Sequence, residues 1–210
     1  MNISALCIQT TTIVYNMQNL RFRNAVLCIM TGDIFDAKGV NTKADIRFIL
    51  HRTKQDTIGL PGGRIDPIRV NGKHVRDETP EETAVREFYE ETNVRVRFVK
   101  HVGDDKVGSD GSHPIIVMDT TVIGDTVVFV AKWLCNTRMN TDAWKSSAKA
   151  QQETSGVYAT KIADIMAYDG KPGTKLRHGG KHHVEGTRVR GCAIGSVLYI
   201  QSIIRRFNLA

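Results

Sequence analysis

Short runs of β-branched and apolar residues, bounded by Gly, Asp or Lys clusters, make up much of the chain. Runs of this length and composition predict strands of a sheet. Two polar, glycine-containing segments, 103–111 and 123–125, predict turns between the later strands. The predicted strands cover residues 25–30, 46–51, 94–102, 114–122 and 126–134.

A helix is predicted to begin at Thr79 and to run through the Glu-rich segment that follows. Thr79 suits the capping position, Pro80 suits the first turn, and Glu82 completes a capping box. One side of this helix is apolar, as expected for a helix that packs on a sheet. The residues predicted to face the core are Ala84 and Phe88, with Val85 and Thr92 beside them.

A second amphipathic helix is predicted near the C-terminus, over residues 193–207. Arg205 and Arg206 stand near its end, where cations complement the helix dipole. Upstream, 156–160 is predicted as a short strand and 162–166 as the start of a further helix. The pattern therefore predicts a mixed α/β protein. The apolar side of the C-terminal helix is formed by Ile194, Val197, Leu198 and Ile204.

The segment before the first helix predicts a small β-hairpin. Two short runs, 68–70 and 73–75, flank Asn71-Gly72, and this dipeptide is the strongest short-range hairpin signal. The hairpin is basic and lies close to the helix start. Its basic side chains are Arg69, Lys73, His74 and Arg76.

Three glutamates share one edge of the first predicted helix. Glu87, Glu90 and Glu91 stand at positions i, i+3 and i+4, and like charges so placed repel each other. Hard divalent cations bind carboxylate oxygens together with substrate phosphates, so a metal would relieve the repulsion. The spacing predicts an enzyme of phosphate chemistry that uses Mg²⁺ or Mn²⁺.

Residues 60–94 resemble the Nudix box, the signature of the Nudix hydrolases. The family pattern is Gly, five residues, Glu, seven residues, then Arg-Glu-apolar-x-Glu-Glu-x-Gly-apolar, and Glu78 stands at the required offset before Arg86. The chain departs twice: fourteen residues separate Gly63 from Glu78, and Asn93 replaces the closing glycine. Asn tolerates the left-handed backbone that follows a helix, and the longer spacing accommodates the predicted hairpin.

The resemblance implies an α/β/α sandwich with a mixed sheet, the inserted β-hairpin and a C-terminal helix. We predict a single Nudix-like domain over residues 1–210. Within it, 1–22 is an N-terminal extension, 64–77 is the inserted hairpin and 169–190 is a basic loop.

The resemblance also implies roles for the box residues. Glu87, Glu90 and Glu91 would hold the metal, and Gly62, Gly63 and Arg64 would contact the substrate. Glu78 and Arg86 would belong to the catalytic machinery. Arg86 has two readings: it holds Glu78 or another helix carboxylate in position, or it is a solvated surface charge, the usual fate of a helix arginine.

The catalytic base is expected outside the box. In the family it is often an acid of variable position, and Glu153 is the first candidate because it precedes an aromatic-containing strand at 156–160. The alternative at this position is a solvated loop carboxylate. Glu78 and Asp125 are the reserve candidates.

The chain has 29 Lys and Arg against 22 Asp and Glu, a formal net charge of +7. Part of this charge lies in residues 169–190, where Lys175 and Arg177 are predicted to bind substrate. Such a segment suits a polyphosphate or nucleic-acid backbone, although a basic loop is often only a solvated face. Its cations are Lys171, Lys175, Arg177, Lys181, Arg188 and Arg190.

Two classes of function stay open. The first is a hydrolase of a pyrophosphate bond in a nucleoside triphosphate, ADP-ribose or nucleotide sugar, or dinucleoside polyphosphate, with a decapping enzyme for 5′-capped RNA as its variant. The small nucleotide is favoured because it is the commoner substrate in the family and the basic segment lacks stacking aromatics. The second class is a nucleotide-binding regulator without turnover. Loss of a box carboxylate would favour it, but all are present.

Four cysteines, Cys7, Cys28, Cys135 and Cys192, are scattered without paired spacing, and no secretory signal or membrane-spanning run is apparent. These features predict an intracellular, cytoplasmic protein without a membrane partner. The sequence leaves the oligomeric state open.

Overall fold

The computed structural model describes residues 22–31, 47–53, 57–101, 103–134, 154–176 and 187–209. A mixed sheet dominates this part, and a separate two-stranded hairpin stands beside it. The strands are β1 (Asn24–Thr31), β2 (Arg47–Thr53), β3 (Thr57–Gly59), β4 (Gly62–Arg64), β5 (Pro67–Val70), β6 (Lys73–Asp77), β7 (Val96–Phe98), β8 (His113–Ile123), β9 (Thr126–Trp133), β10 (Thr154–Lys161), β11 (Lys175–Leu176) and β12 (Thr187–Val189). The helices are α1 (Pro80–Thr92), α2 (Ile162–Met166) and α3 (Ile194–Arg206), with a 3₁₀ turn (Gly191–Ala193) before α3.

Strand β1 occupies the centre of the sheet, whose order is β11-β12-β3-β2-β1-β9-β8-β7. One side of β1 is shared, because its last residues pair with β2 and its first residues pair with β4. Strand β10 pairs with β2 along its length. The pairs β1–β9, β7–β8 and β12–β3 are parallel and the others antiparallel, so the predicted mixed sheet is confirmed.

The sheet is covered on both faces. Because successive side chains of a strand point to opposite faces, β1 contributes to two cores. Ala25, Leu27 and Ile29 pack with α1, whereas Cys28 and Met30 pack with α2 and α3. This arrangement confirms the α/β/α sandwich.

Helix α1 begins and ends as its sequence predicts. The Thr79 side chain accepts a hydrogen bond from the Glu82 N–H, and the Glu82 carboxylate accepts one from the Thr79 N–H. Asn93 follows the helix with φ 59°, in the left-handed region, and its N–H donates a hydrogen bond to the Tyr89 carbonyl. The substitution of the usual glycine is therefore accommodated locally. The buried face carries Thr83, Ala84, Phe88, Glu91 and Thr92.

The inserted hairpin is confirmed. It consists of β5 and β6, joined by Asn71 and Gly72, both at positive φ, as a tight two-residue hairpin turn requires. Ile68 pairs with Arg76 and Val70 with Lys73, and one extra residue between these pairs forms a bulge.

Several boundaries were wrong. The strand predicted over 94–102 is only β7, and the segment 169–190, predicted as a loop, contains β11 and β12. Leu198, predicted on the apolar side of α3, is 41% exposed and packs beside Gly170 at the margin of the core. Strands β3 and β4 were not predicted, because three-residue strands around Pro61-Gly62-Gly63 carry no alternating apolar pattern.

Other predictions lie outside the described residues. Among them are most of the N-terminal extension, Cys7, Cys135, Glu153, Arg177 and Lys181. The single domain over 1–210 stays a prediction. Of the two described cysteines, Cys28 is buried, which raises the pKa of its thiol, and Cys192 is exposed; both are free thiols. None of the described helices has the length and apolar character needed to span a membrane.

Candidate functional site

The guanidinium of Arg86 joins α1, β4 and the foot of the hairpin. Its Nε and Nη2 donate to the two Glu78 carboxylate oxygens at 2.8 and 2.9 Å, a bidentate pair. Its Nη1 donates to Glu87 at 2.7 Å and lies 3.4 Å from Glu90. Its Nη2 also donates to the Arg64 carbonyl at 2.9 Å. The Arg86 side chain is 23% exposed, so its reading as a solvated surface charge was wrong.

Glu78 is held by three further contacts besides the ion pair. The Thr83 hydroxyl donates to Glu78 Oε2 at 2.9 Å, and the Asp66 N–H donates to the same oxygen at 3.3 Å. In return, the Glu78 N–H donates to the Asp66 carbonyl at 2.9 Å. These bonds close the base of the hairpin directly beside Arg86.

The same contacts set the protonation of the ion pair. Burial raises the pKa of Glu78, but hydrogen bonds from Arg86, Thr83 and the Asp66 N–H together outweigh it and hold the pKa below its usual value of 4.5. The hydrogen bond to Glu78 raises the pKa of Arg86, and the charge of Glu87 adds to the effect. Near neutral pH both members of the pair are therefore charged.

Strand β4 is pressed between β1 and α1, and its glycines make this approach possible. A Cβ on Gly62 would stand 2.7 Å from the Val26 Cα, and a Cβ on Gly63 would stand 2.7 Å from Glu87 Oε2. Side-chain atoms do not approach that closely, so the Gly-Gly pair lets the carboxylates reach the strand. The Gly62 N–H donates to Glu91 Oε2 at 3.1 Å. Glu91 is 7% exposed and lies deeper than the sequence indicated.

The acidic edge of α1 is suited to a metal by its chemistry. Glu87, Glu90 and Glu91 offer only oxygen atoms, the ligands that hard divalent cations prefer. In the described part of the chain no three Asp, Glu, His or Cys side chains converge as a metal-binding group. Carboxylate oxygens of Glu87 and Glu90 lie near Arg86, while one of Glu91 accepts the Gly62 N–H. The donor set fits Mg²⁺ or Mn²⁺, and the metal-ligand role of the three residues stays a prediction.

Two residues of this cluster were not predicted. Thr83 donates to Glu78 and is fully buried, and Asp66 contacts both Glu78 and, at 3.6 Å, Arg86. A signal for Thr83 was its position beside Ala84 on the core side, where a buried hydroxyl needs a partner. Asp66 had no such signal, because the inserted hairpin separates it from α1 in sequence.

The remaining predicted residues lie at different distances from this cluster. Arg64 is exposed at the end of β4, and Asp125 is exposed in the β8–β9 turn, where it accepts a hydrogen bond from the Asn24 side chain. Lys175 is exposed on β11 and pairs in register with Arg188 of β12. Glu153 and Arg177 lie outside the described residues.

The position of Glu153 in the sequence can still be related to the sheet. It directly precedes β10, in which Val157 pairs with His51 of β2. His51 also pairs with Gly59 of β3, three residues before Gly62. Strand β10 has Cα atoms within 8 Å of α1. Strand β10 therefore passes close to α1, and the location of Glu153 relative to the acidic edge stays a prediction.

The sequence matches one family model, described as the NUDIX domain, over residues 37–147. The match covers more than half of the chain and includes the whole box. A comparison with curated protein sequences found no match.

Solved structures with a similar arrangement share little sequence with the chain. A Caenorhabditis elegans Ap4A hydrolase is 16% identical, with 69% of this chain and 83% of that chain covered at a TM-score of 0.38. A MutT/nudix family protein from Enterococcus faecalis is 10% identical, with 88% and 62% covered at 0.47. The Bacillus subtilis pyrophosphohydrolase BsRppH is 12% identical, with 90% and 83% covered at 0.42. At these values the likenesses say nothing about substrate.

The Glu78–Arg86 pair predicts a pH-dependent contribution to stability. Because the folded pKa of Glu78 is lowered, its stabilising effect is present above 4.5 and is lost as pH falls through the folded pKa. Glu78→Gln should lower the free energy of unfolding by about 1–2 kcal/mol near pH 7. The difference between wild type and variant should shrink below pH 4.5, as measured by urea unfolding across pH. The control is Glu81→Gln, an exposed glutamate of the same helix. If Glu81→Gln lost the same free energy of unfolding with the same pH dependence, the effect would come from the total charge of the helix and not from the Glu78–Arg86 pair.

Proposed function

The chain belongs to the Nudix hydrolase family, and we propose that it hydrolyses a pyrophosphate bond in a nucleoside diphosphate derivative with Mg²⁺ or Mn²⁺ as cofactor. The substrate classes are nucleoside triphosphates, ADP-ribose or nucleotide sugars, and dinucleoside polyphosphates. The observation that supports this proposal most directly is the acidic edge of α1, set against the glycines of β4 by Arg86.

We assign the metal to Glu87, Glu90 and Glu91. Glu78, Glu87 and Glu90 surround the single guanidinium of Arg86, and Glu91 lies one helical residue further on, against the Gly62 N–H. Negative charge is therefore in excess on this edge when these carboxylates are ionised. Such an excess is unfavourable unless cations gather there. When bound, a divalent ion would stabilise the charge that develops on the phosphate oxygens and make the attacking water more acidic.

The substrate phosphates would lie along β4. Gly62 and Gly63 keep the strand in direct contact with the glutamates of α1, and Arg64 presents an exposed cation at the end of the strand. Lys175, with Arg177 beyond the described residues, is our candidate for a more distant phosphate. These contacts orient the P–O–P group so that one phosphorus faces water.

Hydrolysis then needs a base. Water attacks one phosphorus, the bond from that phosphorus to the bridging oxygen breaks, and the bridging oxygen leaves with the electron pair on the second phosphate. The proton of the water passes to a carboxylate, for which Glu153 is our first candidate because it directly precedes β10, a strand with Cα atoms within 8 Å of α1. Glu78 is a weaker candidate, since both of its oxygens accept hydrogen bonds from Arg86. Asp125 stays in reserve.

Capped RNA is the second candidate substrate. The observation that favours it is the basic sheet edge, where Lys175 and Arg188 face each other in register. Two cations on adjacent strands at the edge of a sheet favour a polyanionic ligand such as an RNA backbone. A regulator without turnover is the third candidate, and the complete set of box carboxylates argues against it.

We also keep an intracellular, cytoplasmic location as part of the proposal. The free thiols of Cys28 and Cys192 support it, since reduced cysteines are usual in that compartment.

Removal of one metal ligand tests the proposed reaction. Glu90→Gln keeps the shape of the side chain and loses its charge, so turnover should fall by about 10²-fold or more while unfolding stability changes little. Turnover is measured as product formed from each member of a panel of nucleotides and capped RNA, with and without Mg²⁺. Wild-type activity should disappear with EDTA and return with Mg²⁺ or Mn²⁺.

The matched control for that experiment is Glu81→Gln, which removes an equal charge from the exposed side of α1. It should keep wild-type activity. Comparable turnover in folded Glu90→Gln would reject the metal assignment, and absence of metal-dependent turnover of every substrate in the wild type would reject the proposed function.

Replacement of the candidate base should separate catalysis from binding. Glu153→Gln should lower kcat by about 10²–10⁴-fold and leave the KM within a few-fold, because general-base help acts in the chemical step. Steady-state kinetics across pH measure both values. An unchanged kcat would exclude Glu153 and direct attention to Glu78 or Asp125, and a change in KM alone would make Glu153 a binding residue.

A further inference from the structure

The hairpin of β5 and β6 projects from the candidate site with its side chains in solvent. Every residue from 69 to 77 is exposed, including Val70 and Val75. Neither strand pairs with the main sheet, and the two form a sheet of their own. An exposed ribbon without a core of its own adds little to the stability of a fold, which points to a role in binding.

The charge left over on this ribbon is positive. Arg76 forms an ion pair with Glu82, and Asp77 is within hydrogen-bond distance of the His74 ring, at 2.9 Å. Asp66, at the base, lies near Arg86. In contrast, Arg64, Arg69 and Lys73 make no ion pair with any acidic side chain in the described part of the chain. These three cations run from the end of β4 to the tip of the hairpin.

The ribbon is also held in a fixed direction. Arg76 Nη1 and Nη2 donate to the two Glu82 oxygens at 2.6 and 2.7 Å, which ties β6 to the first turn of α1. The hydrogen bond from Arg76 is the main reason that the pKa of Glu82 falls to about 2. At the base, Asp66 and Glu78 exchange hydrogen bonds. The cations of the ribbon are therefore held in a defined position relative to Arg86.

We propose that the β5–β6 hairpin is a binding arm for the phosphodiester backbone of a single-stranded nucleic acid whose terminal phosphates lie at β4. At ~3.3 Å per residue, the tip stands about 13 Å beyond Asp66, past the reach of the phosphates of a mononucleotide bound at Arg64. A polyanion that continues outward from Arg64 meets Arg69 and Lys73 next. The ribbon has no Phe, Tyr or Trp, and its one imidazole, that of His74, is within hydrogen-bond distance of Asp77, so the contacts are to phosphates and independent of base sequence.

This inference goes beyond the proposed function, because binding along the arm does not require cleavage. The test is therefore a binding measurement in EDTA. The probes are 5′-phosphorylated single-stranded RNA and DNA oligonucleotides of one sequence, labelled at the 3′ end and followed by fluorescence anisotropy over a range of salt concentrations. Hydrolysis of the preferred small nucleotide with Mg²⁺ is measured in parallel on the same proteins.

The variant Arg69→Gln with Lys73→Gln removes the two tip cations and, with Arg69, a long hydrogen bond of 3.4 Å to the Gly72 carbonyl. It keeps the Arg76–Glu82 and Asp66–Glu78 contacts that hold the ribbon. The control is Lys100→Gln with Lys106→Gln, which removes two exposed cations from the segment after β7. The tip variant should bind both oligonucleotides with an affinity lowered by roughly 2- to 30-fold. The slope of log K against log salt should flatten by roughly 1.4, at about 0.7 for each lost phosphate contact. Small-nucleotide hydrolysis and control binding should stay at wild-type levels.

Equal oligonucleotide binding by the tip variant and the wild type, or equal weakening by the control, would overturn the proposal. Reversal of charge in Arg69→Glu with Lys73→Glu should weaken binding further than the neutral variant, and an unchanged affinity there would also reject the arm. If wild type hydrolyses no nucleotide but binds the oligonucleotides through the arm, the proposed function fails and this inference stands.

Discussion

One partly buried guanidinium, that of Arg86, organises the site and its surroundings. It donates hydrogen bonds to both carboxylate oxygens of Glu78, to one of Glu87 and to the Arg64 carbonyl. A single group therefore links α1, β4 and the base of the hairpin. A charge in this position stabilises the folded state only when its partners are in place, because the loss of hydration of an unpaired, partly buried charge costs free energy. The position of β4 against α1 and the direction of the helix carboxylates thus depend on one side chain. The glycines of β4 are the complementary requirement, because any side chain on Gly63 would displace Glu87.

This constraint explains why an insertion is tolerated within the signature. The fourteen residues between Gly63 and Glu78 leave and return to nearly the same point, where Asp66 and Glu78 exchange hydrogen bonds. The entropy cost of closing a loop rises slowly with its length, and a tight hairpin turn lowers it further. The offset between Glu78 and Arg86 is kept. The bidentate ion pair requires the fixed offset between Glu78 and Arg86. It does not require a fixed number of residues between the glycines and Glu78.

The local elements of the fold were predictable where the signal is local. The cap at Thr79, the left-handed Asn93 and the Asn71-Gly72 turn follow from the preferences of single residues, and the spacing of the glutamates indicated their shared edge. Pairings across the chain were not predictable. Strands β4, β11 and β12 have three residues or fewer and are formed by their partners, and Asp66 reaches Arg86 only through the folded hairpin. The burial of Glu91 likewise depends on the Gly62 N–H, a partner outside the helix. The spacing of residues within α1 could not predict this contact.

Binding of Mn²⁺ by Arg86→Lys tests most directly whether Arg86 orders the carboxylates for a metal. Lysine keeps the positive charge but cannot form the bidentate bond to Glu78 while reaching Glu87 and the Arg64 carbonyl. A residue that supports metal ligands typically contributes about 10–100-fold to metal affinity, so calorimetric titration of the folded variant should show a Kd for Mn²⁺ raised by roughly that factor. Arg95→Lys, at an exposed arginine stacked on Tyr89, should leave the Kd unchanged. A wild-type Kd in folded Arg86→Lys would contradict the account.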